Sequence, residues 1–246
     1  MIDSDETLFL ILEALHEAEE LGVSELANRL NLSKSAVHKH LKTLQKHEYV
    51  HNEDGQYRLG LKFLEYGGRL RDRDCLYDLG RESVRDLAEE INELVILSVK
   101  EFDRGVFLFR WNDQYNLKET IPLGNRFYLH QNGAGKAMLA ELPDAEIDRI
   151  FSKGLPAATK NTITERSALR QEIGTIRERG FAINRGERDS EVSAISAAVR
   201  HPSGRHVGAI SVSLPSRVAR REDFVDEYAE PVMQTAGKLS LRLKHA

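Results

Sequence analysis

The chain has 246 residues and a formal net charge of −4 at pH 7, from 35 lysines and arginines against 39 aspartates and glutamates. A content of 30% charged and 41% hydrophobic residues is typical of a globular protein and excludes a disordered or collagen-like chain. No apolar run approaches the roughly 18 residues of a membrane span, and no signal-sequence pattern is present, so we expect a cytoplasmic protein without a membrane partner. The single cysteine, Cys75, excludes an internal disulfide and a multi-cysteine zinc site. Taken as a whole, the slightly acidic balance argues against nucleic acid as a partner.

The first part of the chain has the hydrophobic spacing of three helices. Apolar residues recur every three or four positions over 7–16, which predicts a helix with one buried face that is ended by Gly22. Ser24 is the predicted N-cap of a second, short helix over 25–30. After a tight connection, Ser33 is the predicted N-cap of a third helix.

A hairpin and a further helix follow. The dipeptide Asp54-Gly55 lies between the alternating segments 48–51 and 56–59, and this dipeptide in that position is a strong hairpin signal. Three helices and a hairpin are the arrangement of a winged helix-turn-helix, which we predict for residues 3–64. A helical pattern from about 61 to 74 predicts a linker helix, and residues 65–246 form the predicted second domain.

Basic residues are concentrated on the third helix, although the whole-chain charge hides them. Residues 26–47 contain five lysines or arginines and no acid, so this window carries +5. The lysines on its predicted outer face can neutralise DNA phosphates, and the short hydroxyls and imidazoles can contact base edges in the major groove. The alternative is that this face of the third helix is charged only because it is exposed to water, and that it does not bind DNA. The predicted DNA-binding residues, which include an arginine at the base of the wing, are Ser33, Lys34, Ser35, His38, Lys39, Lys42 and Arg58.

Two histidines of the third helix are candidate metal ligands. His38 and His40 are two positions apart, so they point to different faces of a helix. No cysteine lies nearby to complete a site. We therefore predict neither a metal site nor a cofactor, and we expect His40 to pack at the edge of the helix.

Helices and strands alternate beyond the linker. Helices are predicted over 79–91, 135–141, 167–179 and 224–243, and strands over 94–99, 105–111, 117–121, 127–130, 181–184, 194–199 and 207–214. Turn sequences at 103–105 and 202–205 favour antiparallel hairpins. We therefore predict an α+β domain in which an antiparallel sheet is layered with flanking helices.

Several segments resemble one known family. Residues 24–44, SELANRLNLSKSAVHKHLKTL, followed by Tyr57-Arg58-Leu59-Gly60, resemble the N-terminal domain of the IclR-type transcriptional regulators. Residues 130–140, HQNGAGKAMLA, resemble the Gly-Lys-Ala and Leu-Ala signature of that family's second domain. Segments similar to the family's later motifs, at 180–187, 194–199 and 209–213, follow in the same order. The resemblance covers nearly the whole chain.

The resemblance implies a GAF-like second domain that binds a small organic effector, often a carboxylate or an aromatic acid. Carried over position by position, the residues implied to bind the effector are Gly133, Ala134, Asn184, Ala194, Ser211 and Ser213. Three positions depart from the family: Asn184 stands where some members have Asp, Ala194 where Cys is common, and Glu191 where Gly precedes the strand. Because of these changes, the resemblance does not determine the identity of the effector, including whether it carries a carboxylate. The alternative for the two serines is hydrogen bonding within the core.

The Gly-Ala-Gly-Lys segment at 133–136 does not match a phosphate-binding loop. That motif needs a glycine five positions before Gly135 and a serine or threonine after the lysine, whereas this chain has His130 and Ala137 there. A helix N-terminus of small residues still offers N–H groups to an anion or polar ligand, and a tight turn into a helix is the alternative. No Gly-x-Ser-x-Gly or His-Glu-x-x-His motif occurs, so we predict that the protein is not an enzyme.

These observations predict a sequence-specific transcriptional regulator of catabolic genes whose operator affinity is modulated by a small organic effector. A homodimer or homotetramer, joined through the linker helix and the first helix, would place recognition helices on the half-sites of a double-stranded operator. The alternative is a small-molecule enzyme or sensor with an accessory winged-helix module. A pure protein-interaction module is disfavoured, because a partner-binding helix has no need to exclude every acid.

Overall fold

The structure is a computed structural model that describes residues 3–112, 114, 116–117, 121–201 and 207–245. The chain divides into two compact units, Met1–Leu70 and Arg71–Ala246. Within the described ranges, no helix combines the length and the apolar character that crossing a membrane requires.

The first unit is built of helices and a three-stranded sheet. Its elements are α1 (Asp3–Ala18), β1 (Glu20–Gly22), α2 (Val23–Leu30), α3 (Lys34–Lys46), β2 (Val50–Glu53), β3 (Gln56–Leu59) and the start of α4 (Lys62–Asp72). The strand order is β1-β3-β2, with antiparallel neighbours. Asp54 and Gly55 have φ values of 52° and 87°, as the tight hairpin turn requires. The predicted winged helix-turn-helix is confirmed, and the β2–β3 hairpin is its wing.

The structure corrects the predicted junction between the first two helices. The first helix ends at Ala18, strand β1 follows, and Gly22 is the N-cap of α2. The N-cap predicted at Ser24 is therefore wrong, as is the role of Gly22 in ending α1. The physical reason is that the Glu25 carboxylate accepts the Gly22 N–H at 2.7 Å, which starts the helix before the serine.

One apolar core holds this unit together. Its fully buried side chains come from each of the first three helices, and they are Ile11, Leu15, Leu26, Val37 and Leu41. Because α3 contributes only the face that carries Val37, Leu41 and Leu44, its opposite face is left to solvent.

The second unit is an antiparallel sheet covered by helices on both faces. Its elements after α4 are α5 (Cys75–Ile91), β4 (Leu94–Glu101), β5 (Arg104–Trp111), β6 (Arg126–Tyr128), α6 (Gly133–Ala140), α7 (Asp144–Ser152), α8 (Arg166–Arg179), β7 (Ala182–Arg185), β8 (Val192–Arg200), β9 (Val207–Pro215) and α9 (Phe224–Leu243). The strand order is β6-β5-β4-β9-β8-β7. Alternate side chains pack against α5 and α9 on one face, and against α6, α7 and α8 on the other. The predicted α+β architecture is confirmed.

Some predicted elements of this unit differ. The strand predicted over 117–121 lies partly outside the described residues; Leu117 and Ile121 belong to no strand, and the Ile121 N–H donates to the Leu117 carbonyl at 3.1 Å. The strand predicted over 127–130 ends at Tyr128, where a single 3₁₀ turn begins. Helix α7 was missed, although its apolar residues have helical spacing. The predicted turn at 202–205 lies outside the described residues.

Candidate functional site

The exposed face of α3 carries most of the predicted DNA-binding residues. The Ser33 hydroxyl is the N-cap and accepts the Ala36 N–H at 3.1 Å, so this hydroxyl stabilises the start of the helix. The side chains that project to solvent from the helix itself are Lys34, Ser35, His38, Lys39 and Lys42. Three lysines therefore lie on one solvated surface together with a hydroxyl and an imidazole, which are the groups that contact phosphate and base edges.

Arg58, the residue of the wing that is predicted to bind DNA, is paired with an acid of the same hairpin. Arg58 is exposed on β3, but its guanidinium lies 2.5 Å from the Glu53 carboxylate on β2. Glu53 and Asp54 also place two acids at the turn of the hairpin. A contact between Arg58 and a DNA phosphate therefore requires this ion pair to open.

An aromatic cluster fixes the start of α4 on the winged unit. The Tyr49 and Tyr66 rings stack with centroids 6.2 Å apart, and their hydroxyls are 3.0 Å apart. The Lys62 ammonium donates to the His47 carbonyl at 2.9 Å and lies 5.0 Å from the Tyr49 ring centroid. The hydrogen bond with Tyr66 raises the pKa of the Tyr49 hydroxyl above its ordinary value. The linker helix thus begins at a defined place beside the wing.

A small pocket lies between the N-terminus of α6 and the sheet. All six residues that the resemblance assigned to an effector line it, and they are Gly133, Ala134, Asn184, Ala194, Ser211 and Ser213. Further lining residues, which sequence reasoning did not assign to the pocket, include Asn132, Arg188, Asp189, Ser196 and the apolar side chains of Ile96 and Phe107. The fold therefore gathers a mixed polar and apolar wall from distant parts of the chain.

Strand register explains why the serines of the pocket share one face. Ser211 pairs with Ser196, and two positions along the same strand Ser213 pairs with Ala194. The Ser196 and Ser211 hydroxyls are 2.7 Å apart, so these two hydroxyls form a hydrogen bond with each other in the wall of the pocket. Ser213 is only 3% exposed and lines the pocket. A hydroxyl on the wall of a pocket is a group that can form a hydrogen bond with a polar ligand.

The N-terminus of α6 approaches the sheet closely. A Cβ atom at Gly133 would lie 2.6 Å from the Ser196 hydroxyl, so only glycine permits this contact. The Asn132 side chain is the N-cap and accepts the Gly135 N–H at 2.8 Å. The N–H groups of Gly133 and Ala134 belong to the first helical turn, which leaves donors without a partner inside the helix.

The side-chain amide of Asn184 forms two hydrogen bonds that stabilise the loop after β7. Its amide nitrogen donates to the Val192 carbonyl at 3.0 Å, and its amide oxygen accepts the Glu187 N–H at 3.0 Å. Both polar atoms therefore hold the loop between β7 and β8. The aspartate that some family members have here could not donate the first of these bonds.

A buried ion pair, missed in the sequence, ties the same loop to α6. Lys136 is 1% exposed, and its ammonium lies 2.7 Å from Glu187, 2.8 Å from the Ile183 carbonyl and 3.4 Å from Glu172. Burial raises the pKa of the Glu187 carboxyl, and the charge of Lys136 opposes that rise. The lysine of the Gly-Ala-Gly-Lys segment is therefore a structural cation, and it does not line the pocket.

Comparison with known families covers both units. Residues 8–54 match the IclR helix-turn-helix domain, and residues 75–241 match the C-terminal domain of the bacterial transcriptional regulator IclR. The HTH-type transcriptional regulator KdgR of Escherichia coli (strain K12) is 29% identical over 240 residues, which are 96% of this chain and 90% of the relative. The HTH-type transcriptional repressor AllR of Klebsiella pneumoniae is 30% identical over 226 residues, which are 90% of this chain and 82% of the relative.

Solved structures agree over the full length. The crystal structure of the Thermotoga maritima IclR has a TM-score of 0.77 and 26% identity, and the match covers 98% of this chain and 97% of that one. An IclR homolog from Microbacterium hydrocarbonoxydans, complexed with 4-hydroxybenzoate, has a TM-score of 0.79 and 20% identity, with 99% and 100% covered. With both domains matched, the chain belongs to the IclR family of DNA-binding transcriptional regulators.

Proposed function

We propose that this regulator binds a pseudo-palindromic operator in the cytoplasm through the exposed face of α3, and that a small organic effector in the pocket modulates this affinity. The observation that carries the proposal is the acid-free, lysine-rich outer face of α3 in the setting of a winged helix-turn-helix. An effector changes operator affinity only by binding the DNA-competent and incompetent arrangements differently. The strength of regulation is therefore the coupling free energy between the two sites.

Each residue of the α3 face has a role that its chemistry suits. Lys34, Lys39 and Lys42 neutralise phosphates, which fixes the orientation of the helix on the duplex. Ser35 and His38 reach base edges in the major groove and supply sequence preference. The wing contributes less, because Arg58 is paired with an acid of its own hairpin.

The pocket has hydrogen-bond donors for an effector on one side and a wall of small residues on another. The N–H groups of Gly133 and Ala134 and the hydroxyls of Ser211 and Ser213 are the proposed polar contacts, and the Ala194 methyl is part of the wall. The 4-hydroxybenzoate complex of the Microbacterium homolog supports a small organic acid as the class of ligand. Control of catabolic genes by such a compound is the biological setting that we propose.

Exposed apolar side chains support a homodimer or homotetramer. Phe9 on α1 is 62% exposed, and Leu64 on α4 is 69% exposed. Further exposed apolar residues are Leu10 on α1, Leu70 on α4 and Leu61, which directly precedes α4. Exposed large apolar side chains are candidates for an interaction surface, and a second copy that covered them would also present a second recognition helix.

Operator binding by single variants tests the proposal. DNase footprinting on DNA upstream of the neighbouring genes locates the operator, and gel-shift titration then measures affinity for His38→Ala and Lys39→Ala. We expect each to weaken binding about fivefold or more without changing the thermal unfolding midpoint, because base and phosphate contacts are each worth about 1–3 kcal/mol. Lys160→Ala, which removes an exposed lysine of the second unit, is the matched control. Unchanged affinity of both α3 variants would refute the assignment.

A further inference from the structure

We propose that a cleft beside the turn between β4 and β5 is a second binding site, for a small oxyanion such as a phosphate or a carboxylate, with the Arg104 guanidinium as its main contact. The cleft has a volume of about 260 Å³ and lies between the start of β5, the end of β6 and the C-terminal end of α7. Within the described ranges, its lining residues and those of the pocket at the N-terminus of α6 have no member in common. The inference therefore goes beyond the proposed function and does not depend on it.

Arg104 is held in a fixed position at the mouth of β5. It pairs across the sheet with Tyr128 of β6, and its guanidinium carbon lies 3.1 Å from the centroid of the Tyr128 ring. The Tyr128 ring packs edge-on against the ring of His130, whose Nε2 lies 3.0 Å from the Pro156 carbonyl oxygen. An arginine stacked on an aromatic face keeps its in-plane N–H groups for the oxygens of a carboxylate or phosphate.

The acid that lies opposite Arg104 in the sheet already has another partner. Glu101 of β4 is in register with Arg104, but its carboxylate lies 2.8 Å from the Arg126 guanidinium. Among the residues that the structure describes, Arg104 forms no ion pair. Because the face of a tyrosine ring attracts a cation without cancelling its charge, Arg104 brings a full positive charge to the cleft.

The remaining charges leave the cleft positive. Asp103 is the acidic side chain of its lining, and its carboxylate accepts hydrogen bonds from Arg149 and Lys153. These bonds lower the pKa of the Asp103 carboxyl to about 2, so this acid is ionised and paired at neutral pH. Burial, and then the charge of Arg104, lower the pKa of His130, so its imidazole is neutral. Two cations, Arg104 and Lys153, therefore stand against one acid that is already paired, and an oxyanion would balance the excess.

Equilibrium dialysis of the full-length protein tests this site. Radiolabelled inorganic phosphate and radiolabelled acetate are each dialysed against the protein at constant ionic strength, which gives the affinity and the number of bound ions per chain. Wild type is expected to bind at least one of the two probes at a site that Arg104→Met weakens about tenfold or more, because the charge-assisted hydrogen bonds of the guanidinium are lost. Arg104→Lys should retain part of the binding, because it keeps the charge but not the planar fork. A loss for phosphate alone identifies the ligand as a phosphate compound, and a loss for acetate alone identifies it as a carboxylate.

Arg85→Met is the matched control. Arg85 is also stacked on an aromatic ring, with its guanidinium carbon 4.7 Å from the centroid of Trp111, but it is exposed and does not line the cleft. This variant is expected to bind both probes as wild type does. Equal binding by wild type and Arg104→Met, or no binding of either probe to wild type, would overturn the proposal. Thermal unfolding of each variant confirms that the fold is intact, and Arg104→Lys provides the test if Arg104→Met does not fold.

Discussion

Replacing Lys136 by methionine is predicted to destabilise the second unit strongly. The substitution keeps the length of the side chain but removes the cation that Glu187 and the Ile183 carbonyl contact in the interior. Glu187 is only 6% exposed, so its carboxylate would remain buried without its partner. Breaking such a pair costs about 3–5 kcal/mol. For a unit of this size that corresponds to a fall in Tm of roughly 6–20 °C.

The loss is predicted to depend on pH in a definite direction. Burial already raises the pKa of Glu187, and removing Lys136 takes away the charge that opposes this rise. When the pKa of a carboxyl is higher in the folded state than in the unfolded state, stability is greatest below the unfolded pKa and is lost as pH rises through the folded pKa. The deficit of Lys136→Met should therefore be larger at pH 8 than at pH 5. Glu172 and Arg179, which are paired beside the site, are present in both proteins.

Differential scanning calorimetry at the two pH values measures this effect. The double variant Lys136→Met with Glu187→Gln should recover much of the stability at pH 8, because no buried charge is then left alone. Lys153→Met breaks an exposed ion pair with Asp103 and should lower Tm by no more than about 3 °C. A Tm for Lys136→Met within about 3 °C of wild type at pH 8, or a deficit that grows in acid, would refute the reasoning.

Three further predictions concern charge and assembly. Glu53→Gln should tighten operator binding a few-fold in fluorescence anisotropy, because it releases Arg58 and removes an acid from the wing; weaker binding would contradict this. Hydrogen bonds from Arg149 and Lys153 lower the pKa of Asp103 to about 2, so its contribution to stability is present above pH 4 and lost as the pH falls toward 2. Circular dichroism should accordingly show a steeper loss of stability over this range for wild type than for Asp103→Asn; parallel curves would count against it. Leu64→Asp should reduce the mass measured by sedimentation equilibrium, whereas an unchanged mass would exclude α4 from the interface.

Local patterns in the sequence were sufficient to predict the elements whose structure depends on residues that are close together in the chain. The α3 face follows from helical spacing and a stretch without acids, and the wing turn follows from Asp54-Gly55. The N-cap of α2 was wrongly predicted at Ser24, because serine is a common N-cap residue. In the structure the Glu25 side chain and the pairing of β1 with β3 determine where α2 begins. Sequence alone therefore allows an N-cap at either Ser24 or Gly22, and the strand pairing in the folded unit selects Gly22.

Contacts between distant residues had no signature in a single sequence. Lys136 and Glu187 are 51 positions apart, and nothing in either segment shows that they meet in the interior. The resemblance to a family found six pocket residues but not Arg188, because that side chain enters the pocket from a loop whose shape depends on the Asn184 hydrogen bonds. The Arg58 ion pair could have been inferred, since the predicted hairpin already brings Glu53 and Arg58 onto adjacent strands.

The salt dependence of operator affinity tests most directly whether the α3 face meets the phosphates of DNA. Fluorescence anisotropy titrations between 50 and 200 mM salt give the slope of log affinity against log salt for wild type, Lys39→Ala and the Lys160→Ala control. Each lost phosphate contact lowers the magnitude of this slope by about 0.9. We predict a steep linear fall for wild type, a slope smaller by about 0.9 for each bound copy of Lys39→Ala, and no change for Lys160→Ala. Identical slopes for wild type and Lys39→Ala would contradict the placement of α3 on the DNA backbone.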